Sequence, residues 1–379
     1  MNMKKKNILV VDDSALMRRV LSDIINSDER FSVCDVAHNG LEAFDKVTLD
    51  PKKYDAVVLD INMPKMNGIE FLEQLDRLRI KITVIIVSTV AKQGAVETIR
   101  ALELGAFDFV TKPGNFVEAK GESFHDKVIS CLACATKLAN GAEHLQLRTR
   151  KKSEADAGKE ESKLSGMPNR TSVSTRKHTH KQVSAGAKKL VALACSTGGP
   201  KALQQVIPKL PENLDAPVVM VQHMPAGFTA SLASRLNDLS KVNVKEAVQG
   251  DVLQKGTVYI APGGTQMRVV KKGRDYTIAL FPDEPARTGL KPCADIMYES
   301  LVTSDFDDIT CVVLTGMGGD GTAGIKQLNE KRNIYVIGQN AETCTVYGMP
   351  KVLFESGLTD EVVPLDQVAD SITKNVGVR

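Results

Sequence analysis

Three side chains suited to acyl transfer stand just past three apolar runs. Ser196 follows 190–194, His223 follows 217–221 and Asp320 follows 310–314. A serine hydroxyl is a poor nucleophile at neutral pH until a base takes its proton, and an imidazole does this well when a carboxylate fixes its tautomer and orientation. Such chemistry requires no cofactor. The order Ser, His, Asp and the absence of a Gly-x-Ser-x-Gly frame around Cys195-Ser196-Thr197 exclude an α/β-hydrolase elbow. Gly198-Gly199-Pro200 reads as a tight turn into a helix, which places Ser196 at the carboxyl end of a strand. The glycines of 316–321 leave backbone N–H groups free for an oxyanion. The same loop also spells Gly-x-Gly-x-x-Gly, with Glu342 downstream, and so formally matches a dinucleotide site. Asp320 argues against that alternative, because its charge would lie where a pyrophosphate must sit.

A second constellation lies nearer the amino end. Asp12 and Asp13 follow an apolar run at 8–11, Asp60 one at 56–59, Ser88 one at 82–87 and Lys112 one at 107–110. Crowded carboxylates repel one another unless a hard cation binds them, and few protein ligands with open positions suit Mg²⁺ and a phosphate. Asp60 is the expected phosphoryl acceptor, with Mg²⁺ held by Asp12, Asp13 and Asp60. Lys112 neutralises the phosphoryl oxygens and Ser88 donates a hydrogen bond afterwards.

The elements that must position these groups form two α/β patterns. Strands at 8–11, 33–36, 56–59, 82–87 and 107–110 alternate with helices near 14–26, 40–48, 68–78, 92–104 and 122–140, which gives an N-terminal (βα)5, flavodoxin-like parallel sheet. Beyond 188, strands are expected at 190–194, 217–221, 242–247, 257–261, 266–271, 275–281, 310–315 and 333–338. Helices are expected near 200–208, 228–237, 294–304, 322–331 and 366–376. The strands near 242–281 lack helices between them, so the second domain reads as a doubly wound α/β sheet with an antiparallel insertion or edge. Residues 142–187 contain no aromatic residue and few large aliphatics, and read as a flexible linker between domains at 1–141 and 188–379. The basic run at 148–152 has no interleaved aromatics and reads as a solvated spacer.

Composition narrows the functional classes. The 379 residues are 42% hydrophobic and 25% charged, an ordinary soluble balance, and a net charge of +3 does not call for nucleic acid. Seven cysteines, without paired CxxC motifs or a Cys/His cluster, point to neither a disulfide framework nor a structural metal. With no apolar stretch of membrane-spanning length, a cytoplasmic protein that is not membrane-inserted is expected. His38, His125, His144, His178 and His180 read as surface residues.

Val10-Val11-Asp12-Asp13-Ser14, Leu59-Asp60-Ile61-Asn62-Met63-Pro64, Val87-Ser88 and Phe109-Val110-Thr111-Lys112-Pro113 together resemble the receiver domain of two-component response regulators. That resemblance implies phosphorylation of Asp60 by a histidine kinase, with Ser88 and Phe109 moving in response. Ser196-Thr197-Gly198-Gly199-Pro200, Gln222-His223-Met224-Pro225, Tyr259-Ile260-Ala261-Pro262-Gly263 and Leu314-Thr315-Gly316-Met317-Gly318-Gly319-Asp320-Gly321 extend it to the chemotaxis protein-glutamate methylesterases, the CheB family. The family pattern implies Ser196 as nucleophile, His223 as general base and acid, and Asp320 as orienter. It also implies the backbone N–H of Met317 as oxyanion donor, with Thr197 nearby. Its implied partners are a chemotaxis histidine kinase and the cytoplasmic helices of methyl-accepting chemoreceptors. Its implied reaction is hydrolysis of glutamate methyl esters with release of methanol, and some members also deamidate glutamine. Lys291 and Cys293 depart from the arginine and serine usual in the family, a change expected to alter substrate fit or rate. Control is expected through cover: the face made by the fourth and fifth receiver strands and their helices docks over the second domain until Asp60 is phosphorylated.

Overall fold

The structure, a computed structural model, describes residues 4–114, 122–138 and 186–379. The first sheet is built from β1 (Lys6–Val11), β2 (Phe31–Ala37), β3 (Ala56–Asp60), β4 (Thr83–Ser88) and β5 (Asp108–Thr111), all parallel in the order β2-β1-β3-β4-β5. Its central strands are apolar along their length because helices cover both faces, and all five residues of β3 are buried. The helices are α1 (Ala15–Ser27), α2 (Gly40–Leu49), α3 (Gly68–Arg77), α4 (Lys92–Glu103) and α5 (Glu122–Ala135). Ser14, Asn39 and Asn67 cap the first three through their side chains, which fixes where each strand-end loop turns into a helix.

The second sheet has seven parallel strands. They are β6 (Lys189–Cys195), β7 (Val218–Gln222), β8 (Asn243–Glu246), β9 (Thr257–Ile260), β12 (Asp308–Val313), β13 (Ile334–Gln339) and β14 (Glu361–Val363), in the order β14-β13-β12-β6-β7-β9-β8. Helices α6 (Gly199–Val206), α7 (Phe228–Leu239), α8 (Ala294–Ser300), α9 (Thr322–Lys331), α10 (Met349–Glu355) and α11 (Val368–Val376) complete it. The chain leaves β6 toward β7 on one side and later returns to β12 on the other. That reversal opens a crevice at the carboxyl ends of β12, β6 and β7, the usual place for a ligand in an open α/β sheet.

Several expectations change. The antiparallel character is a separate hairpin, β10 (Gln266–Lys272) with β11 (Asp275–Phe281), and not an edge of the main sheet: β8 and β9 pair in parallel. α5 stops at Ala135, short of 140, because Lys137 adopts φ 58° and Leu138 N–H donates to the Ala133 carbonyl, closing the helix. α8 ends at Ser300, and β14 and α10 were not anticipated. β14 is only three residues long, and α10 begins at a Gly-Met-Pro turn that carries little helical periodicity. Of the linker expected at 142–187, residues 142–185 lie outside the described residues.

The two sheets share one apolar cluster. Ile99 and Leu102 of α4 belong to the same buried group as Leu203 of α6 and Phe228 of α7, with Phe109 packed against it. At its rim Glu103 accepts from Arg235 Nε at 2.6 Å and Nη2 at 3.3 Å. The α4, β5 and α5 side of the first domain therefore rests on the crevice side of the second.

Candidate active site and phosphoryl site

Ser196 and His223 are neighbours because their strands are. Cys195 pairs with Gln222 in register, and His223 N–H donates to the Cys195 carbonyl at 3.0 Å. On the other flank Ser196 N–H donates to the Thr315 carbonyl at 3.0 Å, which ties the serine to the loop after β12. Gly316 approaches so closely that a Cβ there would lie 2.8 Å from Ser196 Cβ, so only glycine lets this loop close on the serine. Gly198, with φ 76°, makes the turn into α6, and any Cβ on it would strike Thr345 at 2.4 Å. Among the described residues the Ser196 hydroxyl has no hydrogen-bond partner.

Nε2 of His223 lies 2.7 Å from Asp320 Oδ2, and the two side chains are only 8% and 5% exposed. Nδ1 is thus the ring nitrogen that Asp320 leaves unengaged. Burial works against the Asp320 charge, but the bond to His223 and the backbone donors of Ala294 and Asp295 outweigh it and hold the carboxyl well below the usual range. A carboxylate so held stays ionised, which is the state that orients an imidazole. Asp320 faces His223 and the first turn of α8, so it is engaged on protein donors at the place where a dinucleotide pyrophosphate would need them.

Gln222, which the sequence places only inside the Gln222-His223-Met224-Pro225 motif with no role of its own, brackets the pair. Its amide donates to the carbonyls of both Ser196 and His223 at 3.0 Å, and its oxygen accepts from the Cys195 thiol at 3.0 Å. Met317 is half-buried in the loop beside Ser196, and its sulfur lies 3.1 Å from Cys134 Sγ of α5. Thr197 is 8% exposed and faces the Asp108 carboxyl of β5, which it helps to hold down against burial. Residues of the first domain thus lie against Thr197, next to the serine, and against Met317 of the loop that closes on it.

At the carboxyl edge of the first sheet, the side-chain oxygens of Asp12, Asp13 and Asp60 lie within 4.8 Å of one another. Lys112 Nζ is 2.6 Å from Asp60 Oδ2 and 2.9 Å from Asp12 Oδ2, although the latter oxygen accepts no well-directed hydrogen bond. Three carboxylates with an unsatisfied buried oxygen fit a hard divalent cation. Burial lifts the Asp60 carboxyl above its ordinary value against the pull of Lys112. For Lys112 burial acts the other way, and Asp60 and Asp12 overcome it to raise its value. Ser88 Oγ donates to the Gly94 carbonyl at 3.2 Å, into α4 and away from Asp60. Phe109 turns to the other domain, its ring centroid 4.6 Å from that of Phe228.

Comparison with known proteins places a known family on each of the two sheets. The CheB methylesterase family matches residues 191–372, and the response regulator receiver domain family matches residues 8–120. The protein-glutamate methylesterase/protein-glutamine glutaminase of Geobacillus kaustophilus is 40% identical over 99% of this chain and 100% of its own length. The chain belongs to the CheB methylesterase family. The Bacillus subtilis member of that family is 38% identical over 97% of this chain and 98% of its own. The crystal structure of the Thermotoga maritima CheB methylesterase catalytic domain is 37% identical, covering 50% of this chain and 98% of that one with a TM-score of 0.48. Among the described residues no helix is long and apolar enough to cross a membrane.

Proposed function

We propose that this protein is a cytoplasmic, phosphorylation-controlled serine esterase of chemotaxis that removes methyl groups from glutamate side chains of chemoreceptors and deamidates receptor glutamines. The contact between Nε2 of His223 and Asp320 at 2.7 Å, one residue past the strand that neighbours Ser196, carries the reading. Ser196 Oγ attacks the ester carbonyl while His223 takes its proton, and the Asp320 charge stabilises the imidazolium. The oxyanion is met by the Met317 N–H, with Thr197 beside it. His223 then returns the proton to the departing methanol. Water attacks the acyl-enzyme by the same route in reverse, freeing Ser196 and the glutamate.

In the receiver, a chemotaxis histidine kinase transfers its phosphoryl group to a carboxylate oxygen of Asp60. Asp12, Asp13 and Asp60 are the residues that would hold Mg²⁺, which when bound neutralises charge on the phosphoryl oxygens. Lys112 pairs with the same oxygens, and Ser88 and Phe109 shift toward the new group. The Asp108–Thr197 and Cys134–Met317 contacts support inhibition by cover, because a substrate helix cannot reach Ser196 while they persist. The receiver, the linker and the catalytic unit divide the chain at 1–141, 142–187 and 188–379. The test is methanol release from methylated receptor membranes, with and without a small phosphodonor and Mg²⁺. Release that rises with phosphodonor is expected, and no release under either condition would reject the assignment.

A further inference from the structure

Two carboxylates beside His223 exchange helix caps. Asp320, in the turn before α9, accepts from Ala294 N–H at 2.6 Å and Asp295 N–H at 3.0 Å, both in the first turn of α8. Asp295 reciprocates, accepting from Gly321 N–H at 2.9 Å and Gly324 N–H at 2.7 Å at the start of α9. Each acid satisfies the orphan donors of the other's helix. The Cys293 thiol adds a donor at 3.2 Å to Asp320 Oδ1. Both oxygens of Asp320 are therefore fixed on protein donors independently of His223, and Gly321, the residue after Asp320, is pinned by Asp295.

From this exchange we propose that Asp295 is a positioning residue for ester hydrolysis, acting through Asp320, and that Cys293 sets how much of the Asp320 charge is left for His223. The proposal rests on the esterase reading above.

The groups facing Asp295 and Asp320 are His223, Cys293, Arg287 and Tyr298. Burial and the nearby Asp320 push the Cys293 thiol up to about 12, so it remains a protonated donor at neutral pH. Burial and the Asp320 charge raise the Asp295 carboxyl, while its two backbone donors oppose them. When ionised, Asp295 adds a second negative charge close to the imidazolium that forms during turnover. A thiol is a weaker donor than a hydroxyl, so it draws less of the charge on Asp320 away from His223.

The experiment uses the full-length protein with phosphodonor and Mg²⁺ held constant. It follows fluorophosphonate labelling of Ser196 against pH, together with methanol release. Asp295→Asn keeps the shape and one acceptor oxygen but removes the charge. Its labelling rate is expected to fall about tenfold, the scale of one charge interaction across a partly buried site. The acid limb of its pH profile should move to lower pH because the imidazolium loses support, and KM for receptor should stay near wild type. Cys293→Ser should move the acid limb the same way and Cys293→Ala the opposite way, neither disturbing the α8–α9 caps. An unmoved acid limb in all three variants overturns the proposal, as does loss of activity in Asp295→Asn that parallels loss of thermal stability. Wild-type protein that labels normally beside such a result leaves the esterase reading standing, whereas wild-type protein that fails to label removes both.

Discussion

Phe109 of the receiver and Phe228 of the catalytic unit face each other with ring centroids 4.6 Å apart and planes tilted by 36°. Phe228 is fully buried at the start of α7, whereas Phe109 is half-buried and belongs to the element next to the phosphoryl site. The aromatic expected to respond to phosphorylation is thus also the one that seats the receiver on its target.

Phe109→Ala should loosen that seat, because Phe109 packs at the edge of the apolar cluster the two sheets share. Losing an aromatic pair and part of its buried area amounts to roughly 1–2 kcal/mol of docking, so the basal rate of unphosphorylated protein should rise about fivefold or more. Stimulation by phosphodonor should shrink in proportion. A basal rate equal to wild type in a folded variant would show that this contact does not hold the cover.

Asp108, buried beside Thr197, is the carboxyl through which docking should respond to pH. Burial raises its carboxyl in the docked state, while the Thr197 hydroxyl and the Phe109 N–H pull it down by less. An acid whose value is raised on docking favours docking most below its ordinary value and progressively less as pH climbs through the raised one. Asp108→Asn, which still accepts from Thr197 but carries no charge, should dock more tightly at neutral pH and lose this dependence. Asp108→Ala should dock more weakly. Small-angle scattering of the three proteins between about pH 4 and pH 8, the range over which a raised carboxyl titrates, would distinguish them; identical profiles would remove Asp108 from the switch.

Ser196→Ala and His223→Ala should each abolish methanol release, and the double variant should be little worse than either, since nucleophile and base act as a unit. Asp320→Asn should lower kcat by about 10³–10⁴ while retaining turnover above the uncatalysed rate. Losses that multiply across Ser196 and His223 would be inconsistent with a shared proton transfer.

Asp60→Asn should keep basal esterase activity and lose stimulation by phosphodonor and Mg²⁺. Radiolabelled phosphodonor should leave this variant unlabelled. Label retained on the protein would move the acceptor to another carboxylate, with Asp12 or Asp13 the next to test.

Much of the architecture was written locally. Apolar runs bounded by Asp12, Asp60, Ser88 and Lys112 specify parallel strands and put those residues at one edge, because a strand buried on both faces leaves its chemistry only at the end. The Gly-Gly-Pro turn after Ser196 and the glycines around Asp320 have the same local legibility, since they meet backbone demands that other residues resist. The contacts between elements were not legible. That Ser196, His223 and the 316–321 loop adjoin depends on the order β12-β6-β7, in which β12 pairs with β6 from more than a hundred residues away, and periodicity does not encode that pairing. The hairpin of β10 and β11 was visible as strands without helices, but its separation from the main sheet was not, because alternation reports a strand and not its partner. Likewise the exchange of caps between Asp295 and Asp320, the bracket made by Gln222 and the reach of Asp108 to Thr197 each join residues whose types are ordinary where they stand. Sequence alone determined which groups could do chemistry and at which strand ends. Tertiary structure decided which of them touch, because that follows from how two sheets and two domains bury their remaining apolar faces against each other.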